Sequence, residues 1–304
     1  MASNGLPHPK LAFLGPVGTY SHQAAYERFA DCVDYHARKT IADVFYSVDA
    51  TFSLGLLPQE NSIFGSVTET YDLLRSLEVG KTKWIRGSVT LPVQHSLLVR
   101  RGQTLANIKR ILSHEQALGQ CRQFIKAHCP NASLVSVAST AAAAEALSHD
   151  PDAIDSAAIC SKFCMRLFPG LEVLHEGIQN ENHNFTRFYI LANHPTGDLP
   201  VPLRDTQSHA LLRVHVGRGS VERDAITITE LISALRLPAT RIDRRPTAEP
   251  EHFESVYMIE LVNRPEPEVR SAGDARLREW ADEVQEGVER IVAAGGSATV
   301  LGIW

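Results

Sequence analysis

The chain has 304 residues, 44% of them hydrophobic and 21% charged, with a formal net charge of −5 at pH 7. That is enough to bury a proper core and favours two domains over one. With no basic stripe or acidic block, a nucleic acid or an anionic membrane is disfavoured as a partner, so any anionic ligand must be held by local groups. Residues 1–10 lack an apolar core of signal-peptide length, and no apolar run approaches the ~18 residues of a membrane span, which reads as a soluble cytoplasmic protein.

In chain order, short apolar runs alternate with helical patterns. Lys10 to Leu14 reads as a strand before a helix at Ser21 to Ala30, and Ser53 to Leu57 as a strand before a helix at Thr68 to Leu77. Ile108 to Leu112 precedes a helix at Gln116 to Ala127, Ser133 to Val137 precedes Thr140 to Leu147, and Ala157 to Cys160 precedes Lys162 to Leu167. This alternation is an α/β pattern. Phe185 to Leu191 reads as a buried strand whose opening carries a hydroxyl and a guanidinium, Thr186 and Arg187, after the polar stretch Gln179 to Asn184.

Pro195, Gly197, Pro200 and Pro202 then mark a linker over 195–208. Beyond it come strand Ala210 to Val216, helix Asp224 to Leu235, strands Thr240 to Arg245 and Ser255 to Val262, helix Ala275 to Ala294 and strand Ala298 to Ile303. The result is a βαββαβ unit. In its long helix Leu277, Trp280, Ala281, Val284, Val288 and Ile291 recur at helical spacing as a core stripe, and Gly295 and Gly296 stop it. Cys32, Cys121, Cys129, Cys160 and Cys164 are odd in number and lack CxxC spacing, so they read as buried free thiols; neither a metal nor a cofactor is expected.

Four turns between strand and helix are rich in Ser, Thr, Asn or Gly, and each reads as a helix N-cap that leaves backbone N–H groups facing outward. They are Gly15 to His22, Pro58 to Ser66, Ser113 to Leu118 and Ser139 to Ala142. The first is not a Walker loop, because no Gly-Lys-Ser/Thr follows, and it lacks the third glycine of a dinucleotide fingerprint. Converging at the carboxyl ends of strands, the four would form an anion-binding cleft. With no lysine beside any turn, a small acid with more than one carboxylate is favoured over phosphate.

GPVGTYSH, PQENSIFGSV followed by TYDLL, LPVQHSLLV, SHEQALGQC, STAAAAEAL and NHNFTRF stand in this order over about 180 residues. Together they resemble prephenate dehydratase, and the downstream unit resembles the ACT regulatory domain that usually follows it. The resemblance implies an α/β protein whose catalytic region, 8–194, has two lobes similar to type II periplasmic binding proteins. Hinge crossings are expected near 91–95 and 184–188, and a ferredoxin-like ACT domain at 209–304. It implies prephenate as substrate, lost CO2 and water, and phenylpyruvate as product.

The resemblance implies that Thr186 assists protonation of the departing hydroxyl, and Glu60 and His114 are the nearby motif residues that could supply the proton. Substrate-lining positions are Thr19, Ser21, Asn61, Ser62, Gly65, Ser113, Gln116, Ala117, Ser139, Thr140, Ala141, Asn184, Phe185 and Arg187. The sequence departs from the family pattern at Glu115, where proline is common, and at Ser88, where a Gly-Glu pair is common. A phenylalanine effector would bind near Asp224 and Ala225 and near Asp243, Arg244, Arg245 and Pro246; the glycine of the family's helix start is absent there. A homodimer or homotetramer is expected. Arogenate dehydratase, or a non-catalytic small-molecule sensor on the same fold, are the alternatives.

Overall fold

A computed structural model describes residues 8–202, 207–216, 227–247, 254–263 and 273–304. Its elements run in chain order as β1 (Lys10–Leu14), α1 (Tyr20–Phe29), β2 (Asp34–Arg38), α2 (Ile41–Ser47), β3 (Leu54–Asn61), β4 (Gly65–Ser66), α3 (Thr68–Leu73), β5 (Trp84–Pro92) and β6 (Ser96–Arg100). There follow β7 (Arg110–Ser113), α4 (Glu115–Gln120), α5 (Arg122–His128), β8 (Ser133–Ser136), α6 (Thr140–His149), β9 (Ser156–Cys160), β10 (Leu171–His175) and β11 (Phe185–Ala192). The chain ends with β12 (Ser208–His215), α7 (Ile228–Leu235), β13 (Ala239–Pro246), β14 (Ser255–Asn263), α8 (Gly273–Ala293) and β15 (Ser297–Ile303).

Three sheets result, in the orders β2-β1-β3-β11-β5 with β4 on β3, β10-β6-β9-β7-β8, and β13-β14-β12-β15. The first two are mixed α/β sheets. β1 and β2 are parallel, as are β7 and its two neighbours, whereas β6 is antiparallel to both β9 and β10. The third sheet is antiparallel throughout. Contacts divide the chain into two compact units, the first comprising Met1–Val44, Leu56–Val67 and Val89–Phe188, the second Phe45–Gly55, Thr68–Ser88 and Tyr189–Trp304.

In the first unit the sheet β10-β6-β9-β7-β8 is covered by apolar side chains on both faces. One cluster gathers Leu97, Ile111, Ala117, Cys121 and Ile159; another gathers Leu98, Ala141, Ala144, Cys160 and Cys164. The alanines of α6 let that helix lie close on its sheet, and Ser139 caps it by accepting from Ala142 N at 3.0 Å. The expected helix at 116–127 is in fact two. Gly119 weakens the run, and Cys121, fully buried, takes φ −104° and ψ 13° between α4 and α5.

The second turn motif also departs from expectation. Pro58 to Asn61 continue β3 rather than capping a helix, and Asn61 and Gly65 close a hairpin before α3 begins. Of the thiols, Cys32 is exposed rather than buried. α7 begins after Thr227, whose side chain and that of Glu230 form a reciprocal capping box, so the described helix starts later than Asp224; Asp224 and Ala225 lie outside the described residues.

The second unit packs α7 and α8 on the antiparallel sheet through Leu212, Leu231, Ile259, Trp280, Val284 and Ile291. Arg213, 2% exposed, donates to the carbonyls of Leu74, Arg75 and Ser76, which follow α3, and the Ser76 carbonyl also accepts from Val79 N. Gly302 on β15 lies so close to β5 that an added Cβ would stand 1.9 Å from the Ile85 carbonyl oxygen. Both sides of that contact are backbone and cannot rotate away. Gly302→Ala should therefore destabilise the fold at or above the ~1–3 kcal/mol of overpacked cores. Thermal unfolding should register a drop on the order of 5–10 °C, and an unchanged melting temperature would show that β15 can shift freely.

Candidate active site

The ends of β3 and β11 and the N-terminal turns of α1, α4 and α6 border a cavity of about 400 Å3 in the first unit. This lies within the ~300–1,000 Å3 of small-molecule sites. Thr19 caps α1 by accepting from His22 N, and Ser139 caps α6. Thr19 to Ser21 and Ser139 and Thr140 line the cavity, so two ten-residue helices present their positive ends to it. No lysine or arginine is among the lining residues.

The orientation of the polar groups follows from backbone donors. Asn61 Oδ1 accepts from Ile63 N at 2.9 Å and Phe64 N at 3.1 Å. Backbone N–H groups only donate, so the opposite side of this amide must be Nδ2. It donates to Asn184 Oδ1 at 2.7 Å, to Thr186 Oγ1 at 3.0 Å and to Phe185 O at 3.2 Å. Thr186 Oγ1 is therefore an acceptor toward Asn61, and its own proton is left to donate elsewhere. Asn184, 3% exposed, in turn donates through Nδ2 to Gln120 Oε1 at 3.1 Å, and the same oxygen lies 2.9 Å from His95 Nε2.

The structure places the residues singled out in the sequence in three groups. Thr19, Ser21, Asn61, Gly65, His114, Gln116, Ala117, Ser139, Thr140, Asn184 and Thr186 line the cavity. Ser62, Ser113 and Ala141 lie off its wall and hold it together. Ser62 Oγ donates to His183 O and accepts from Phe185 N, tying β3 to β11, and Ser113, fully buried, donates to Ile159 O. Ala141 is fully buried under the Gly18 turn. Glu60, Phe185 and Arg187 form the third group, also off the wall. Glu60 and Arg187 pair at 3.3 Å, so the expected cleft cation already faces a carboxylate, and Phe185 is 40% exposed.

His22 from the first motif is structural. It stacks on Phe13, accepts from Gly18 N, and burial lowers its pKa to about 4. His114 uses Nδ1 to accept from Gln116 N at the start of α4. Tyr20, His95 and Gln120 line the cavity without having been singled out. All three stand inside the runs GPVGTYSH, LPVQHSLLV and SHEQALGQC, and His95 alone also lies in a polar run, Gln94-His95-Ser96, that interrupts an apolar stretch.

A sequence model of prephenate dehydratase (PDT) matches residues 11–196. The chain belongs to the prephenate dehydratase family. It is 37% identical over 193 residues to a bifunctional chorismate mutase/prephenate dehydratase of Pseudomonas aeruginosa, covering 62% of this chain and 51% of that one. It is 29% identical over 292 residues to arogenate dehydratase 1 of Petunia hybrida, covering 91% of this chain and 64% of that one. A solved prephenate dehydratase from Arthrobacter aurescens in complex with L-Phe superposes with a TM-score of 0.73 at 28% identity, covering 97% of this chain and 89% of that one. The chain spans about half the length of the bifunctional relative. The Asn184 to Phe188 element supplies one wall of the cavity, through Asn184 and Thr186. Among the described residues no helix is long and apolar enough to cross a membrane, and no group of three or more His, Cys, Asp or Glu could hold a metal ion.

Proposed function

We propose that this protein is a prephenate dehydratase, converting prephenate to phenylpyruvate, CO2 and water. The observation that carries the reading is the Thr186 hydroxyl, whose oxygen accepts from Asn61 and whose proton is thereby free for a ligand in the cavity. In the reaction the electron pair of the ring–carboxylate bond enters the ring as the ring C–O bond breaks. Aromatisation makes this downhill and calls for no redox partner or electron sink. The Thr186 O–H stabilises charge growing on the departing oxygen, as a positioned donor rather than as a strong acid. Substrate carboxylates lie at the N-termini of α1 and α6, where N–H groups and the helix dipole favour negative charge.

The first two sheets are the two lobes of a fold like that of type II periplasmic binding proteins. The chain passes from one to the other between Pro92 and Ser96 and returns before Phe185, and these crossings form the hinge. Residues 209–304 form an ACT domain, a reading supported by the order β13-β14-β12-β15 with α7 and α8. Phenylalanine is its effector, as the complex of the Arthrobacter relative suggests, and the protein is a homodimer or homotetramer.

Two charges of the effector motif are already paired. Arg245 pairs Asp72 on α3 through two bonds of 2.8 and 3.0 Å, and Asp243 pairs Arg241. The charge of Arg245 is thus engaged in tethering β13 to α3, which starts one residue after Val67 of the cavity wall. Arogenate is the second reading, favoured by the Petunia relative. Purified protein should form phenylpyruvate from prephenate at a rate unaffected by excess chelator and lowered by added phenylalanine. Formation of phenylalanine from arogenate in preference would select the second reading, and absence of product from both substrates would leave a sensor.

A further inference from the structure

His95 is 3% exposed yet borders the cavity beside Tyr20. Its proton state can be read from its partners. Gln120 Oε1, fixed as an acceptor by the chain of amides from Asn61, lies 2.9 Å from His95 Nε2, so Nε2 carries a hydrogen. Nδ1 lies 2.7 Å from Tyr20 Oη, and the same phenol oxygen lies 2.9 Å from the Gln94 carbonyl. Two arrangements satisfy every group. With neutral His95, Tyr20 donates to Nδ1. With His95 protonated, Nδ1–H donates to Tyr20 Oη, and the Tyr20 proton turns to Gln94 O.

A buried histidine that is fully hydrogen-bonded in both charge states is built to hold and release a proton. We infer that Tyr20 and His95 form a coupled pair that supplies the proton consumed when the ring hydroxyl leaves as water. This rests on the dehydratase reading. As the C–O bond breaks, the oxygen takes the bonding pair and the Tyr20 proton. Tyr20 Oη takes the proton from His95 Nδ1, and neutral His95 is reprotonated from solvent. The electrons that aromatise the ring come from the bond to the departing CO2, so charge and atoms balance.

The surroundings suit this role. Burial lowers the His95 pKa from its ordinary value, so the cation gives up its proton readily, and the negative charge of a bound dicarboxylate raises it again. Burial holds the Tyr20 phenol well above its usual range, so it passes a proton on without ionising. The titratable groups facing the pair are the Cys121 thiol between α4 and α5, the Cys160 thiol of β9 and the Cys164 thiol of the following turn, with His114 on the cavity wall. Burial pushes Cys121 up to about 12, and its hydrogen bond with Cys164 and burial raise Cys160. No carboxylate side chain lines the cavity to compete as the acid.

Tyr20→Phe and His95→Gln test the pair, with kcat followed from pH 5 to 9. Wild-type kcat should decline as pH rises through the pKa of the complex, because the acid form is being lost. Each variant should lose on the order of 10²–10³ in kcat, and His95→Gln should also lose the decline. A purely structural role would lower kcat and leave the shape of the profile unchanged, and that result overturns the inference. Nitrogen-15 NMR of the histidine-labelled wild type, without substrate, gives a measure independent of turnover and of how the variants fold. His95 should show the neutral Nε2–H tautomer at pH 7.5, and an Nδ1–H tautomer rejects the pair. If wild type makes no phenylpyruvate, the dehydratase reading fails separately, while the tautomer still reports the pair's geometry.

Discussion

Thr186→Val is expected to turn over prephenate ~10²–10⁴-fold more slowly than wild type, with kcat and kcat/KM falling together. Valine keeps the branched shape and removes only the oxygen. In the fold that oxygen accepts one bond from Asn61 Nδ2, but the same nitrogen also reaches Asn184 Oδ1 and Phe185 O. Its two hydrogens therefore keep two acceptors after the substitution, and no buried donor is stranded. The melting temperature should stay within a degree or two, which separates loss of chemistry from loss of structure. Thr186→Ser restores the hydroxyl without the methyl and should lie within ~10-fold of wild type. A valine variant within a few-fold of wild type would show that the hydroxyl does not act on the departing oxygen.

The place of Thr186 on the cavity wall was legible in the sequence because its signal is local: a hydroxyl and a guanidinium open an apolar run, and Phe188 to Ala192 are all buried. The caps Thr19 and Ser139 were legible for the same reason, since a cap is decided within three residues. The strands β2 and β5 were not. β2 reads Asp-Tyr-His-Ala-Arg and is an edge strand with no fully buried residue. β5 carries Arg86, Gly87 and Ser88 through its middle and shows neither an apolar run nor a clear alternation. The Asn61 turn reads as a helix cap because it is rich in Asn, Ser and Gly, yet Pro58 to Asn61 continue β3.

The partners that orient the hydroxyl were beyond local reading altogether. Asn61 and Thr186 are 125 residues apart, His95 and Gln120 are 25 apart, and Tyr20 and His95 are 75 apart. Glu60 and Arg187 each looked free to meet a substrate, and only the pairing of β3 with β11 shows that they meet each other. Sequence patterns reveal which residues could do chemistry; which of them are already occupied depends on contacts between distant strands.

Asn61→Asp should be as damaging as loss of the Thr186 hydroxyl, for a different reason. One carboxylate oxygen can still accept from Ile63 N and Phe64 N, so the hairpin at the end of β3 keeps its bonds. The other oxygen replaces a donor and faces Asn184 Oδ1, Phe185 O and Thr186 Oγ1, all of which accepted from Asn61 before. Thr186 then turns its only proton toward the carboxylate and withdraws it from the cavity. Asn184 is driven to flip its amide, which breaks its donation to Gln120. The new negative charge also sits on a wall with no lysine or arginine to offset it, facing a substrate with two carboxylates. At a separation of about 4 Å, one such repulsion is worth roughly 1 kcal/mol in bulk water and about 4 kcal/mol at an effective dielectric near 20. Binding and chemistry should therefore fail together, with kcat down on the order of 10²-fold and KM up about tenfold or more. Lowering the pH should recover part of the activity as the new carboxylate is protonated and regains a donor, a rise in the same direction as that expected of wild type but larger in fold-change. Steady-state kinetics from pH 5 to 8, with a melting curve at each pH, distinguish these effects. An Asn61→Asp enzyme within tenfold of wild type in kcat/KM would mean that the Thr186 proton is not directed by Asn61.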